Sequence, residues 1–251
     1  MNVFVTGATA GFGAAIARRY VAEGHKVVAA GRRRERLEDL RKELGDAVWT
    51  VELDVRNRED VMKVFGNLPP AFADLDVLVN NAGLALGLEP AQNANLDDWD
   101  TMVDTNVKGL MYCTRAALPG MVARDRGHVV NMGSVAANYP YPGGNVYGAT
   151  KAFVHQFSLN LRADLHGTAL RVTDVQPGMV GGTEFSQVRF HGDTGRAAKI
   201  YEGVPATLTS EDIADAVFWI TTRPAHVNVN SIEIMPVAQA FNAFRIDRRT
   251  P

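Results

Sequence analysis

The sequence predicts an α/β fold: one doubly wound domain whose seven-stranded parallel sheet is covered by helices on both faces. Three observations carry this. Short β-branched runs alternate with helical patterns from one end of the chain to the other. The first such run closes on a glycine-rich turn that opens a helix, which is the context a phosphate cradle needs. No linker, repeat or low-complexity run divides the 251 residues, so a single domain over 1–251 is expected.

Taken in order, Asn2–Thr6 reads as a buried strand, with Val3, Phe4 and Val5 at its centre. The turn Thr6-Gly7-Ala8-Thr9-Ala10-Gly11-Phe12-Gly13 follows, then an amphipathic helix over 14–23 closed by Gly24. Glycines let a backbone approach a pyrophosphate, and a helix N-terminus offers free N–H groups with a partial positive charge. The spacing is G-x-x-x-G-x-G rather than G-x-G-x-x-G; the plainer alternative is a tight turn with glycines for packing. A second strand over 25–31 ends at Arg32-Arg33-Arg34, with no acid before Glu35. In a dinucleotide-binding unit this position reads the adenine ribose, and an acid there selects NAD. Guanidinium forks suit a 2′-phosphate instead, so NADP is the predicted cofactor. A solvated basic helix start is the alternative, but cations at a helix N-terminus oppose its dipole.

A helix is predicted over 35–44, a strand over 47–53 ending at Asp54-Val55, a helix around 58–68 and a strand over 76–80 before Asn81-Ala82-Gly83. Helical pattern resumes over 97–124, with Asn106 inside it. A strand over 127–132 leads to Gly133-Ser134. The helix carrying Tyr147 and Lys151 comes next, then a strand over 169–176 and Pro177-Gly178. A polar, glycine-bearing segment at about 179–205 reads as a substrate lid. A helix over 210–222 and a strand over 227–234 complete the sheet. The tail, 238–251, is apolar and then basic (Phe241, Phe244, Arg245, Arg248, Arg249), a frayed end or a cover for a neighbouring subunit.

Composition narrows the function. The 26 basic and 28 acidic residues nearly cancel, and Arg32–Arg34 is the basic stripe, so no nucleic-acid or membrane partner is expected. Cys113 is the one cysteine, which excludes an intramolecular disulfide and reads as a buried thiol. The first apolar run is interrupted by Thr6, Gly7 and Thr9 and lacks a basic region before it; a cytoplasmic protein is the expectation. No metal is expected.

In parallel sheets ligands bind beyond the carboxyl ends of the strands. That rule gathers Gly7–Gly13, Arg32, Asp54, Asn81, Ser134 and 177–185 along one edge, with Tyr147 and Lys151 beside Ser134. The latter two stand four apart and share a helix face. A phenol ionises near pH 10, roughly, and a fixed ammonium beside it favours the phenolate. A tyrosine–lysine pair on a wet helix face is common by chance; at this edge it reads as an acid/base unit.

Thr6-Gly7-x-x-x-Gly11-x-Gly13, Asn80-Asn81-Ala82-Gly83, Asn106, Ser134, Tyr147-x-x-x-Lys151 and Pro177-Gly178, in this order, resemble the motifs of the short-chain dehydrogenase/reductase family over nearly the whole chain. The fold the resemblance implies is a single Rossmann domain. Tyr147 would be the acid/base, Lys151 would lower its pKa and hold the nicotinamide ribose, and Ser134 would hydrogen-bond the substrate oxygen. Asn106 would interrupt its helix for a water relay. For the cofactor, Gly7, Ala8, Thr9, Ala10, Gly11, Phe12 and Gly13 would take the pyrophosphate, and Arg32 and Arg33 the 2′-phosphate. Asp54 would accept from the adenine amino group beside Val55, and Asn81 would lie near the adenosine ribose. Pro177, Gly178, Val180, Thr183 and Phe185 would border the nicotinamide.

More narrowly, Leu53-Asp-Val-Arg56, Gly143-Gly-Asn-Val-Tyr-Gly-Ala-Thr-Lys151 and Val180-Gly-Gly-Thr-Glu-Phe-Ser186 resemble family members that oxidise short 3-hydroxy acids with NADP. The implied substrates are of the L-allo-threonine, serine and 3-hydroxypropionate/malonic semialdehyde type. A small carboxylate needs a cation, and Arg189 on the lid is the first candidate, with His191 and Arg196 behind it; the alternative is a solvated lid charge. Phe185, Tyr139 and Tyr141 would form an apolar wall. Two other functions share the motifs: a reductase of another carbonyl substrate such as a 3-oxoacyl thioester, and a non-catalytic NADP sensor. The family further implies a homotetramer built through the two long helices and the final strand region.

Overall fold

The first strand, β1 (Asn2–Thr6), forms because β-branched and aromatic residues fill it and both faces of the sheet are covered; Val3, Phe4 and Val5 are fully buried. The structure, a computed structural model, describes residues 1–241. After β1 come α1 (Gly11–Ala22), β2 (Lys26–Gly31), α2 (Arg34–Leu44), β3 (Val48–Glu52), α3 (Arg58–Gly66) and β4 (Val77–Asn80). The second half runs α4 (Leu96–Val103), α5 (Leu110–Ala123), β5 (His128–Met132), α6 (Asn145–Asp164) and β6 (Arg171–Pro177). Two short helices, α7 (Phe185–Arg189) and α8 (Thr194–Lys199), precede α9 (Ser210–Thr221) and β7 (Ser231–Ile234).

All seven strands are parallel, in the order β3-β2-β1-β4-β5-β6-β7. The chain winds outward through β2 and β3, returns to pair β4 with β1, and winds outward again. The reversal between β1 and β4 opens a crevice at their carboxyl ends. Alternation along each strand serves two cores. Val3, Val5, Val27, Ala29 and Val79 meet Ile16 and Tyr20 of α1 and Ile213, Val217 and Ile220 of α9. On the other face, Phe4, Val28, Leu78, Val129 and Val172 meet Val61, Cys113, Met121 and Leu161 from α3, α5 and α6. Each such side chain contributes about 1.5–3 kcal/mol of hydrophobic free energy, so both layers hold the strand ends in register. The buried Cys113 thiol is pushed up to about 12 by burial, as an inert core sulfur should be.

The seven strands and their order of alternation agree with the expectation; local boundaries moved. The last strand is four residues rather than the whole of 227–234, because the edge strand pairs with β6 only from Ser231 to Ile234. The predicted lid is not a plain loop but carries α7 and α8, the latter capped by Asp193. The helix predicted over 97–124 changes character over Asp104–Gly109, where it is π-helical, and this is where Asn106 falls. Phe244 and the three arginines of the tail lie outside the described residues. Among the described residues no helix is long and apolar enough to cross a membrane, and no cluster of His, Cys, Asp or Glu could hold a metal ion.

Candidate active site

One cleft of about 640 Å³ runs along the carboxyl edge of the sheet. At one end the β1–α1 turn forms its floor. Gly7 and Gly11 have φ of +66° and +51°, conformations that L side chains rarely adopt. A Cβ at Gly13 would lie 2.3 Å from the Gly7 carbonyl oxygen, and one at Gly31 would lie 2.5 Å from Thr9 Cγ2. These glycines let the turn fold flat against β2 and β4.

The helices differ at their N-termini, and α2 and α6 lack a side-chain cap as α1 does. Helices α3, α4, α8 and α9 are closed by side-chain caps from Asn57, Asn95, Asp193 and Thr209. Helix α1 has Ala10 at its N-cap, with no side-chain cap and no acid in its first turn. Its first N–H groups have no intrahelical acceptor, and the residues that carry them, Gly11 and Phe12, line the cleft with Thr9 and Ala10. An uncapped helix N-terminus at a strand-end crevice fits a pyrophosphate. Gly7, Arg32, Arg33, Asp54, Val55 and Asn81 also line this end.

Two of the predicted cradle residues do not reach the cleft. Ala8 is fully buried, turned into the core with Val5 and Ala29. Gly13 does not line the cleft either: its lack of a side chain admits the Gly7 carbonyl and the Asn81 amide. Arg34 turns outward to Glu38 at 2.9 Å, which leaves Arg32 and Arg33 at the cleft. Sequence reading also missed two contacts. Arg56 clasps Asp54 through Nε and Nη2, at 3.0 and 2.6 Å; burial works against the Asp54 charge, but the Arg56 hydrogen bonds hold its carboxyl below the ordinary range. Arg33 donates to Thr9 Oγ1 at 3.0 Å and pairs with Glu184 at 2.6 Å, while Arg36 reaches the same carboxylate at 3.5 Å. Residues 24 and 151 positions away in sequence meet at Arg33, which no local pattern encodes.

Ser134, Tyr147 and Lys151 meet at the other end. Ser134 follows β5 and opens a 3₁₀ turn, its Oγ accepting from the Ala136 N–H at 3.1 Å and facing the Pro177 carbonyl at 3.5 Å. Tyr147 and Lys151 project from the first two turns of α6, and the Lys151 Nζ lies 5.8 Å from the Tyr147 ring centre. Lys151 donates to the Met132 carbonyl oxygen at 2.7 Å. Burial pushes the ammonium down to about 8.

For Tyr147 the structure reverses an expectation. The phenol is pushed up to about 12 by burial; the Ser134 hydroxyl and the Arg189 charge pull it back, and Lys151 is not among the causes. Desolvation of a phenolate outweighs a lysine whose hydrogen bond goes to a backbone carbonyl. Asn106 does not line the cleft. Its side chain is fully engaged, exchanging hydrogen bonds with Leu84 N and O at 2.9 and 2.8 Å and donating to Thr150 at 3.0 Å. It ties the loop after β4 to α6, and its Oδ1 and the Lys151 Nζ flank Gly83.

Residues of the segment after β6 line the far side. Pro177, Gly178, Val180, Thr183 and Phe185 line the cleft, with Tyr139 and Tyr141 opposite. Arg189 reaches in from the end of α7, its guanidinium 5.2 Å from the Tyr147 ring centre and 5.1 Å from that of Phe185. Nη2 donates to the Tyr141 hydroxyl at 3.1 Å, and Nε is buried without a partner. His191 and Arg196, the second-rank substrate candidates, are not in the cleft. They pair outward with Asp98 and Glu89, at 3.0 and 3.2 Å, because the reversal at His191 turns the chain away after Arg189. Met235, Gln239 and Phe241 join the lining unexpectedly; Gln239 Oε1 accepts from the Met179 N–H at 2.7 Å, and Phe241 packs on Tyr139.

The family model described as short chain dehydrogenase matches residues 1–193. The NADP-dependent 3-hydroxy acid dehydrogenase YdfG of Salmonella typhi is 64% identical over 248 residues, covering 99% of this chain and 100% of that protein. The serine 3-dehydrogenase of Agrobacterium fabrum is 50% identical over 249 residues, with 99% of each chain covered. Among solved structures, the closed form of serine dehydrogenase complexed with NADP⁺ superposes with a TM-score of 0.98 at 59% identity, over 99% of this chain and 100% of that one.

Proposed function

The chain belongs to the short chain dehydrogenase family, and from that premise we propose that it is an NADP-dependent oxidoreductase of short 3-hydroxy acids. The observation that carries this reading is the continuity of the cleft. One wall begins at an uncapped helix N-terminus flanked by Arg32 and Arg33 and ends at Ser134, Tyr147, Lys151 and the half-buried Arg189. The first part suits a phosphorylated dinucleotide, the second a small anion bearing a hydroxyl.

Gly7, Gly11 and Phe12 would hold the pyrophosphate, Arg32 and Arg33 the 2′-phosphate, Asp54 and Asn81 the adenosine, and Thr183 and Phe185 the nicotinamide end. Arg33 would exchange Glu184 for the phosphate, and Arg36 is there to keep the Glu184 carboxylate paired. Bound there, NADP supplies the acceptor or donor of the hydride.

Tyr147 takes the proton from the substrate hydroxyl during oxidation and returns it to the carbonyl oxygen during reduction. Its burial makes the phenol a poor acid, and the Ser134 hydroxyl and the Arg189 charge ease its ionisation. Ser134 donates to the substrate oxygen and steadies charge as it develops. Asn106, by bending its helix, leaves room for a water to pass protons from Lys151 to solvent. Arg189 holds the substrate carboxylate: its unpartnered Nε, beside the Tyr147 ring, is a donor waiting for an anion. That cation favours a free acid over a 3-oxoacyl thioester, and a sensor has no use for the Ser134, Tyr147 and Lys151 set.

Malonic semialdehyde would be the substrate in the reductive direction. We further infer a cytoplasmic homotetramer, its contacts drawn from α5 and α6, where Met111, Val122 and Leu159 are exposed, and from the β7 edge; light scattering on the purified protein tests the assembly. Activity is tested by NADP⁺-linked oxidation of L-allo-threonine, L-serine, 3-hydroxyisobutyrate and 3-hydroxypropionate, with malonic semialdehyde in reverse. Turnover of acetoacetyl thioesters above that of these acids would overturn the assignment.

A further inference from the structure

Among the described residues, Lys151 is the one buried lysine or arginine and Asp174 the one buried carboxylate. They lie on either side of the same stretch of backbone. The Lys151 Nζ donates to the Met132 carbonyl at 2.7 Å. The next residue, Gly133, faces Asp174: a Cβ there would lie 2.2 Å from Asp174 Oδ1, an oxygen with no hydrogen-bond partner. Residue 133 therefore has to be glycine for this carboxylate to sit where it does, immediately before Ser134.

The other oxygen of Asp174 is fully held. His155 Nδ1 lies 2.9 Å and Gln176 Nε2 2.7 Å from Oδ2. His155 stands one turn beyond Lys151 on α6, so the same helix face supplies the ammonium and the group that orients its opposite charge. Gln176 Oε1 accepts in turn from Asn138 at 2.9 Å, which ties the carboxylate to the turn that begins at Ser134. A carboxylate taken wholly out of water is costly unless it meets donors or an opposite charge. Here two donors serve one oxygen, and the free oxygen is left on the side of Gly133, toward the chain that carries the lysine's acceptor.

We propose that Asp174 is a positioning residue for the acid/base pair: its buried carboxylate is the counter-charge that keeps Lys151 in its ammonium form and sets the alkaline limit of the reaction. Burial pushes Lys151 down to about 8, and the Asp174 charge is the influence acting in the opposite direction. The other groups around Lys151 are Tyr147 on α6, with Arg189 reaching it from α7, Ser134 after β5, and the Asn106 amide across Gly83; His155 acts from behind Asp174. The inference rests on Tyr147 and Lys151 being the acid/base pair of the proposed oxidation.

The test is the pH profile of kcat/KM for NADP⁺-linked 3-hydroxy acid oxidation, with thermal unfolding and NADPH fluorescence binding measured in parallel. In Asp174→Asn the alkaline limb moves to lower pH by about one unit or more, about a tenfold loss beyond the wild-type limb, while activity near neutrality is largely kept. His155→Arg, which sets a permanent cation against Oδ2 at a half-exposed position, moves the limb the same way by less, and it carries the test if Asp174→Asn does not fold. A limb that stays in place, whether activity is unchanged or lowered equally at every pH, overturns the proposal. Absence of NADP⁺-linked oxidation in the wild-type protein would instead overturn the function on which it rests.

Discussion

Replacing Arg189 by methionine separates the substrate-anchoring reading from a packing role. Methionine keeps a long flexible side chain against Phe185 and Tyr147 but removes the charge and all donors. In the free protein the arginine is a poor bargain: Nε is buried without a partner, a penalty of about 1–3 kcal/mol. Against that stand one hydrogen bond to Tyr141 at 3.1 Å and the placement over two rings, together worth about 1.5–3 kcal/mol. The two sides nearly cancel, so Arg189→Met should leave the unfolding temperature within a few degrees of wild type. Binding behaves differently. A carboxylate meeting this guanidinium gains about 1.5–3 kcal/mol per charge-assisted hydrogen bond, so KM for L-allo-threonine or serine should rise about 10- to 100-fold. A second readout follows from charge. Arg189 pulls the Tyr147 pKa down against burial; without it the phenol ionises at higher pH, and the acid limb of the oxidation profile moves upward. Steady-state kinetics at saturating NADP⁺ across pH, with calorimetry, measure all three. An unchanged KM refutes the anchor, and a large drop in stability would show that Arg189 is a packing residue.

Other outcomes follow from the same geometry. Tyr147→Phe should abolish NADP⁺ reduction while NADPH fluorescence binding persists, because only the hydroxyl is lost; retained turnover would exclude Tyr147 as the acid/base. Arg33→Ala should raise KM for NADP⁺ about tenfold or more with little effect on NAD⁺, measured as the ratio of kcat/KM values for the two cofactors. Gly13→Ala brings a Cβ to 2.3 Å from a backbone oxygen, and should cost about 1–3 kcal/mol in denaturant unfolding with loss of NADPH affinity. His128 is buried on β5 and its imidazole is held down to about 3, by burial first and by the Arg171 charge second. The unfolded chain takes up this proton near the ordinary value of 6.5 and the folded chain does not. Stability should thus be complete above that value and fall as pH drops toward 3, by up to about 1.4 kcal/mol per unit; His128→Gln should flatten this slope in urea titrations.

Much of this site was legible because strand ends in a parallel sheet share one edge. Once β1, β2, β4 and β5 were recognised as strands, the residues that follow them, Gly7, Arg32, Asn81 and Ser134, had to gather there whatever the order of the strands. Tyr147 and Lys151 were equally accessible, since helical periodicity alone sets them on one face. The misses have a common character. Ala8 and Gly13 lie inside a motif whose spacing shows that a cradle exists, but not which of its residues faces out. His191 and Arg196 share the composition of a lid with Arg189, yet the backbone reversal at His191 sends them to Asp98 and Glu89. Gln239 and Phe241 follow the last strand, where no pattern announced that the chain returns across Met179 and Tyr139.

Local periodicity and glycine placement encode the alternation of strand and helix, the phosphate-type turn, the basic corner after β2 and the tyrosine–lysine pair. These depend on spacings of one to a few residues, which the backbone geometry translates directly into a shared face or edge. The electrostatics depend on the folded chain. Burial raises the Tyr147 phenol and lowers the Lys151 ammonium, Glu184 meets Arg33 across 151 positions, and Asp174 comes up behind Gly133. Such effects depend on how much water is excluded and on which charges remain within a few ångströms, and both are set by contacts between residues far apart in the chain.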